Sequence, residues 1–198
     1  MAKGSQFERD MCKAFSLWWT KGKRSDVFWR TSGSGARATT RSKKNKKTFG
    51  QYGDMQATDP IGQPLIDLCS IEMKHGYKGA NPFDCFDFSG KQHPMFMKFI
   101  EQCERESEEA GTPYWLLVTR RHSKKTIITM PYVLRKGLLY KKSGCVNIRY
   151  SNYDNNLYTI SSIILDDFFD KVLPETFADA VALIVADGAD IVKVGAVT

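Results

Sequence analysis

From Gly53 to Lys74 the chain reads GDMQATDPIGQPLIDLCSIEMK, and this stretch constrains the fold more than any other. It is an aspartate, a polar and turn-rich connection, then a β-rich run ending Ile71-Glu72-Met73-Lys74. Asp59-Pro60-Ile61-Gly62 carries turn chemistry, because proline fixes φ and glycine tolerates positive φ. Two antiparallel strands flanking that turn would set Asp54 beside Glu72. Strand side chains alternate, so Glu72 and Lys74 share one face while Met73 points the other way with its carbonyl nearby. Two carboxylates with water suit a hard divalent cation such as Mg²⁺. A lysine beside them can orient or deprotonate an attacking water and offset phosphate charge, the apparatus of metal-assisted phosphodiester hydrolysis. The competing reading is a solvated strand end with a surface Glu–Lys pair. This is the only acid-x-Lys triplet in the chain, so the reading depends on its flanks.

Upstream, Phe7, Met11, Ala14, Phe15 and Trp18 follow the stripe of an amphipathic helix over about 5–20. Ser5-x-x-Glu8 has the form of a capping box, which would occupy Glu8 structurally. The alternative is a third carboxylate approaching the metal from the first helix. Val27 to Arg30 reads as a short strand, followed at once by Thr31-Ser32-Gly33-Ser34-Gly35-Ala36. Gly33-x-Gly35 after a strand faintly suggests dinucleotide binding, but no apolar helical stripe follows, so no nucleotide cofactor is expected. The small residues suit close approach to a phosphate backbone, with the Ser32 and Ser34 hydroxyls donating.

Residues 31–53 contain no acid but hold Arg37, Arg41, Lys43, Lys44, Lys46 and Lys47, most of the chain's net charge of +7. A solvated loop is the ordinary reading of such a run. Its position between a strand and Asp54 favours a nucleic-acid arm, the basic loop 37–49. Six neutralised phosphates would give log K against log salt a slope of roughly −5. The five cysteines contain no CxxC spacing, which fits a reducing, cytoplasmic setting better than structural zinc. No apolar run approaches a membrane span.

After Lys74 comes a loop rich in Gly, Pro and aromatics, then a second helix from Lys91 to about Glu109, with Met95, Phe96, Phe99, Ile100 and Cys103 on one face. Gln92 and His93 sit at its start, and its acidic outer half, Glu101 to Glu109, is expected to face away from DNA. A buried strand at Tyr114 to Thr119 should form a hairpin with Thr126 to Met130. A short helix at Pro131 to Leu139, an extended run to Arg149, a strand at Leu157 to Leu165 and helices at Asp166 to Val172 and Ala178 to Ala186 complete the reading. The last helix either packs on the core or meets a second subunit.

Taken together, Phe7-Glu8-Arg9, Arg30 to Ala36, Gly53-Asp54 and Ile71-Glu72-Met73-Lys74 resemble the PD-(D/E)XK nuclease superfamily, most of all its Holliday-junction resolvase branch. The likeness covers about residues 5–120. It implies an α/β, restriction-endonuclease-like core: a small mixed β-sheet flanked by helices, as one nuclease domain over 1–175 with a helix and tail at 176–198. It further implies a Mg²⁺-dependent deoxyribonuclease, with Mn²⁺ as a substitute, acting on duplex or branched DNA as a prokaryotic or phage-encoded homodimer. By the same resemblance Asp54 and Glu72 bind metal with the Met73 carbonyl, Lys74 positions water and Glu8 is an outer ligand or acid/base partner. Arg30 with Ser32 or Ser34 would hold phosphate, and Gln92 would steady the site. Two features depart from the pattern: Gly53 stands where a proline usually precedes the Asp, and the basic insertion is longer than a resolvase arm. A non-catalytic DNA-binding protein that keeps the nuclease shape is the alternative.

Overall fold

A computed structural model describes residues 3–31, 52–86, 94–138, 144–151, 157–177 and 179. Helix α1 (Lys3–Trp19) leads into a two-stranded antiparallel ribbon, β1 (Phe28–Arg30) and β2 (Met55–Ala57). A 3-10 turn (Pro60–Gly62) and helix α2 (Gln63–Leu68) then deliver strand β3 (Cys69–His75). Helix α3 (Met95–Ala110), strands β4 (Tyr114–Arg120) and β5 (Ile127–Pro131), helix α4 (Tyr132–Leu138), strands β6 (Cys145–Ser151) and β7 (Leu157–Ile164), and helix α5 (Leu165–Lys171) follow. The main sheet has the order β3-β4-β5-β7-β6, with β3 and β4 parallel and the remaining pairs antiparallel. Strand β3 is therefore an edge strand.

The sheet is covered on both faces, and strand alternation assigns each residue to one of them. Cys69, Ile71 and Met73, with Leu116 and Val118, turn toward α1, whose Phe7, Met11, Cys12, Phe15 and Trp18 are buried against them. Trp115 and Leu117 turn the other way, onto Phe96, Phe99, Ile100 and Cys103 of α3. Burying each large apolar side chain contributes about 1.5–3 kcal/mol, so these layers dominate the stability of the sheet. The expected small mixed sheet with a helix on each side is what forms. Among the described residues no helix is long and apolar enough to cross a membrane.

Three local expectations are corrected. Asp59 to Gly62 does not close a β2–β3 hairpin. The Asp59 side chain accepts the Ile61 N–H and Pro60 opens a 3-10 turn; Pro64 then sits in the first turn of α2. An acceptor ahead of a proline starts a helix as readily as a β-turn, and here the helix wins. Helix α1 begins at Lys3, so Ser5 lies inside it and cannot be its N-cap residue. Met95 is exposed, and Met97 fills the buried stripe of α3 in its place. The expected helix at 178–186 lies, apart from residue 179, outside the described residues.

Candidate active site

Gly53 approaches the free edge of β3 in a backbone conformation of φ +68°, and a Cβ there would lie 2.7 Å from the Ile71 carbonyl oxygen. Proline is confined near φ −65° and any side chain would strike that carbonyl, so this site requires glycine. The departure from the Pro-Asp pattern thus has a steric cause.

Asp54 follows and grips the edge twice. Its backbone N–H donates to the Ile71 carbonyl at 2.7 Å, and its Oδ2 accepts the Met73 N–H at 2.8 Å. Its own carbonyl accepts the Thr31 N–H at 3.0 Å, continuing the β1–β2 ladder by one rung. The ribbon is thereby docked onto the main sheet by the aspartate itself. A strand residue's N–H and C=O leave on the same side, so the Met73 carbonyl also faces this edge. Asp54 and Glu72 come together as expected, although helix α2 rather than a hairpin turn links their strands.

Glu72 and Lys74 share the face under α3. The Lys74 Nζ donates to Glu72 Oε1 and lies 5.6 Å from the centre of the Phe99 ring. Glu72 Oε1 also accepts from Gln102 Nε2 at 2.9 Å, and the same amide donates to Glu106 Oε1 at 2.8 Å. Asp54 and Glu72 are only 7% and 4% exposed. Burial pushes the Asp54 carboxyl up to about 6, against the pull of Lys74 and the Met73 N–H. Burial, then the Asp54 charge, holds Glu72 well above the ordinary carboxylate range. Lys74 rises despite its own burial, because the Glu72 carboxylate favours its charged form.

Glu8 lies on the other side of Asp54. Its Oε2 is 3.1 Å from Arg30 Nε, a charge contact without hydrogen-bond alignment. Burial first, and then the charges of Asp54 and Glu8, push the Cys12 thiol up to about 12.

The donor set fits a hard divalent cation. Among the described residues no hydrogen bond engages Asp54 Oδ1 or Glu72 Oε2, and the two desolvated carboxylates repel each other until a cation intervenes. No group of three or more His, Cys, Asp or Glu is arranged as a metal cluster among the described residues. Two carboxylates and a carbonyl, with waters completing the shell, is the style of Mg²⁺ rather than of zinc.

The structure therefore assembles Glu8, Arg30, Asp54, Glu72, Met73 and Lys74 along one edge. Ser32, Ser34, Arg37, Arg41, Lys43, Lys44, Lys46, Lys47 and Gln92 lie outside the described residues. Gln102 and Glu106 escaped sequence reasoning. The acidic half of α3 does not face wholly outward, since Gln102 bonds Glu72 and Glu106 lies against the same amide. A lone amide three residues beyond the buried Phe99, with an acid four residues further on, was the available signal.

A five-stranded mixed sheet between helices, with its acids at the edge of β3, is the restriction-endonuclease-like architecture. No curated protein and no solved structure matches the chain. A family model described as phage putative PDDEXK endonuclease matches residues 1–179. Ninety per cent of the chain thus lies within that match, and the protein belongs to this phage PDDEXK endonuclease family.

Proposed function

We propose that this chain is a divalent-metal-dependent DNA endonuclease that hydrolyses phosphodiester bonds, with Mg²⁺ as its ion and Mn²⁺ as a substitute. The observation that carries the reading is the pair of buried carboxylates, Asp54 and Glu72, held against one strand edge with Lys74 beside them. Asp54 and Glu72, aided by the Met73 carbonyl, would hold the cation. When bound, the cation supplies Lewis acidity toward the phosphoryl oxygen and lowers the pKa of water. Lys74 keeps its proton while Glu72 is charged, so in the resting site it orients water and offsets negative charge. Gln102 fixes the Glu72 carboxylate by its amide. Glu8 holds Arg30, and a phosphate arriving beside Asp54 competes for that guanidinium. Ser32, Ser34, the cations of the 37–49 loop and Gln92 complete the DNA contacts. The substrate is duplex or branched DNA, branched if the activity is Holliday-junction resolvase-like, and the working form is a homodimer in the cytoplasm of a host cell.

A labelled four-way junction, the matched linear duplex and a single strand, each with Mg²⁺, Mn²⁺ or chelator, test this beside Glu72→Gln. The expected result is metal-dependent cutting that disappears in the variant, with the junction preferred. Binding without cutting on every substrate would establish the non-catalytic DNA-binding alternative.

A further inference from the structure

At the end of the sheet where Lys74 lies, strand β4 runs beside β3 in parallel, pairing Lys74 with Thr119 and His75 with Arg120. Strands lie about 4.8 Å apart and rise about 3.3 Å per residue, which puts the Arg121 backbone within roughly 8 Å of that of Lys74. The turn from β4 to β5 then presents Arg121, His122, Lys124 and Lys125, and all but the half-buried Arg121 in this group are exposed. Its base is anchored. The Gly76 N–H donates to the Arg120 carbonyl at 2.9 Å, and the His122 and His75 rings meet at 6.1 Å. Arg120 lies 4.9 Å from the Phe7 ring centre, and His75 stacks on the same ring, one residue from Glu8.

The charge of this turn is uncompensated. Residues 110–153 contain nine lysines and arginines and no acid. Lys21, Arg24, Arg30 and Lys74 are each ion-paired with a carboxylate. Among the described residues no carboxylate pairs with Arg120, Arg121, Lys124 or Lys125. A cationic rim left open beside two buried acids is complementary to a polyanion that must bring one phosphate to those acids.

We propose that the β4–β5 turn, through Arg121, Lys124 and Lys125, binds the DNA backbone beside the scissile phosphate, as a second cationic contact separate from the 37–49 segment. This rests on the reading of DNA as substrate. The turn's role in this proposal is phosphate contact, which supplies position and affinity rather than sequence preference.

The test measures equilibrium binding of a labelled duplex over a salt series, in chelator, with Glu72→Gln as the parent protein. In Arg121→Ala/Lys124→Ala/Lys125→Ala the slope of log K against log salt should become shallower by roughly 2–3, with affinity down about tenfold or more at low salt. Lys124→Arg/Lys125→Arg should keep the parent slope. Neutralising three exposed lysines elsewhere, as Lys13→Ala/Lys23→Ala/Lys171→Ala, should leave it unchanged. An unchanged slope in the turn variant, or an equal loss in the control, overturns the proposal. Cleavage by the wild-type protein in Mg²⁺ is scored apart: cutting with an unchanged slope in the turn variant sinks the turn and leaves the nuclease standing. Absence of DNA binding by the parent sinks both.

Discussion

Gly53 shows how much of this site depends on a residue with no side chain. Its positive φ and its closeness to Ile71 bring Asp54 onto the edge of β3 at the correct height. Gly53→Ala should therefore cost about 1–3 kcal/mol in a denaturant titration. It should also depress cleavage more than that loss explains, since Asp54 is displaced with it. Gln102 presents the complementary case, a side chain whose amide fixes the Glu72 carboxylate. Gln102→Ala should lower metal affinity or turnover by about 10–100-fold, read by calorimetry with Mn²⁺ and by steady-state rates, with the folded far-UV spectrum retained. Strand alternation put Glu72 and Lys74 on one face, whereas Asp54 was set beside Glu72 through a hairpin turn that the structure replaces with a helix. Gln102 was not legible in the sequence, because its role arises only when α3 is laid across β3, and nothing local to an acidic helix announces that contact.

At the level of the element, amphipathic stripes proved the most informative feature. Helix α1, read from its apolar stripe, and the β4–β5 hairpin, read from a continuous apolar run, form over nearly the expected residues, because both signals are properties of each segment alone. The connection from β2 to β3 was misread, because Asp-Pro followed by Gln-Pro serves both a turn and a helix start, and tertiary docking of Asp54 decides between them. Helix α3 adds a consequence of its own composition. Burial, and then Glu101 and Glu108, push the Glu104 carboxyl from 4.5 up to about 7. The folded protein thus retains a proton that the unfolded chain releases between those values. The stability this confers is complete below about pH 4.5 and lost as pH rises through 7. Glu104→Gln should therefore stabilise the protein by about 1–2 kcal/mol at pH 8, after allowing for solvent screening, and by little at pH 4.5. Thermal melts at the two pH values check this. Equal shifts at both would place the effect elsewhere.

For the molecule as a whole, the first helix and the last described residues close on one another. Trp18 donates its indole N–H to the Val172 carbonyl at 2.7 Å, and its ring meets Phe168, Phe169 and Phe177. Phe177 is fully buried, so Phe177→Ala should cost about 3–5 kcal/mol by denaturant titration, a loss set by cavity formation far from any catalytic group. This closure could not be read from the chain, since it joins segments more than 150 residues apart through rings that each looked like ordinary core. The docking of Asp54 on β3 has a bearing on solubility as well as on chemistry. An uncovered strand edge invites pairing with another chain, and the Asp54 carboxylate covers the Met73 N–H on just such an edge. Replacing Asp54 by alanine uncovers that donor and opens a place for a second molecule to add a strand. The Asp54→Ala protein is thus at risk of self-association, whereas a variant at Glu72 keeps its edge closed.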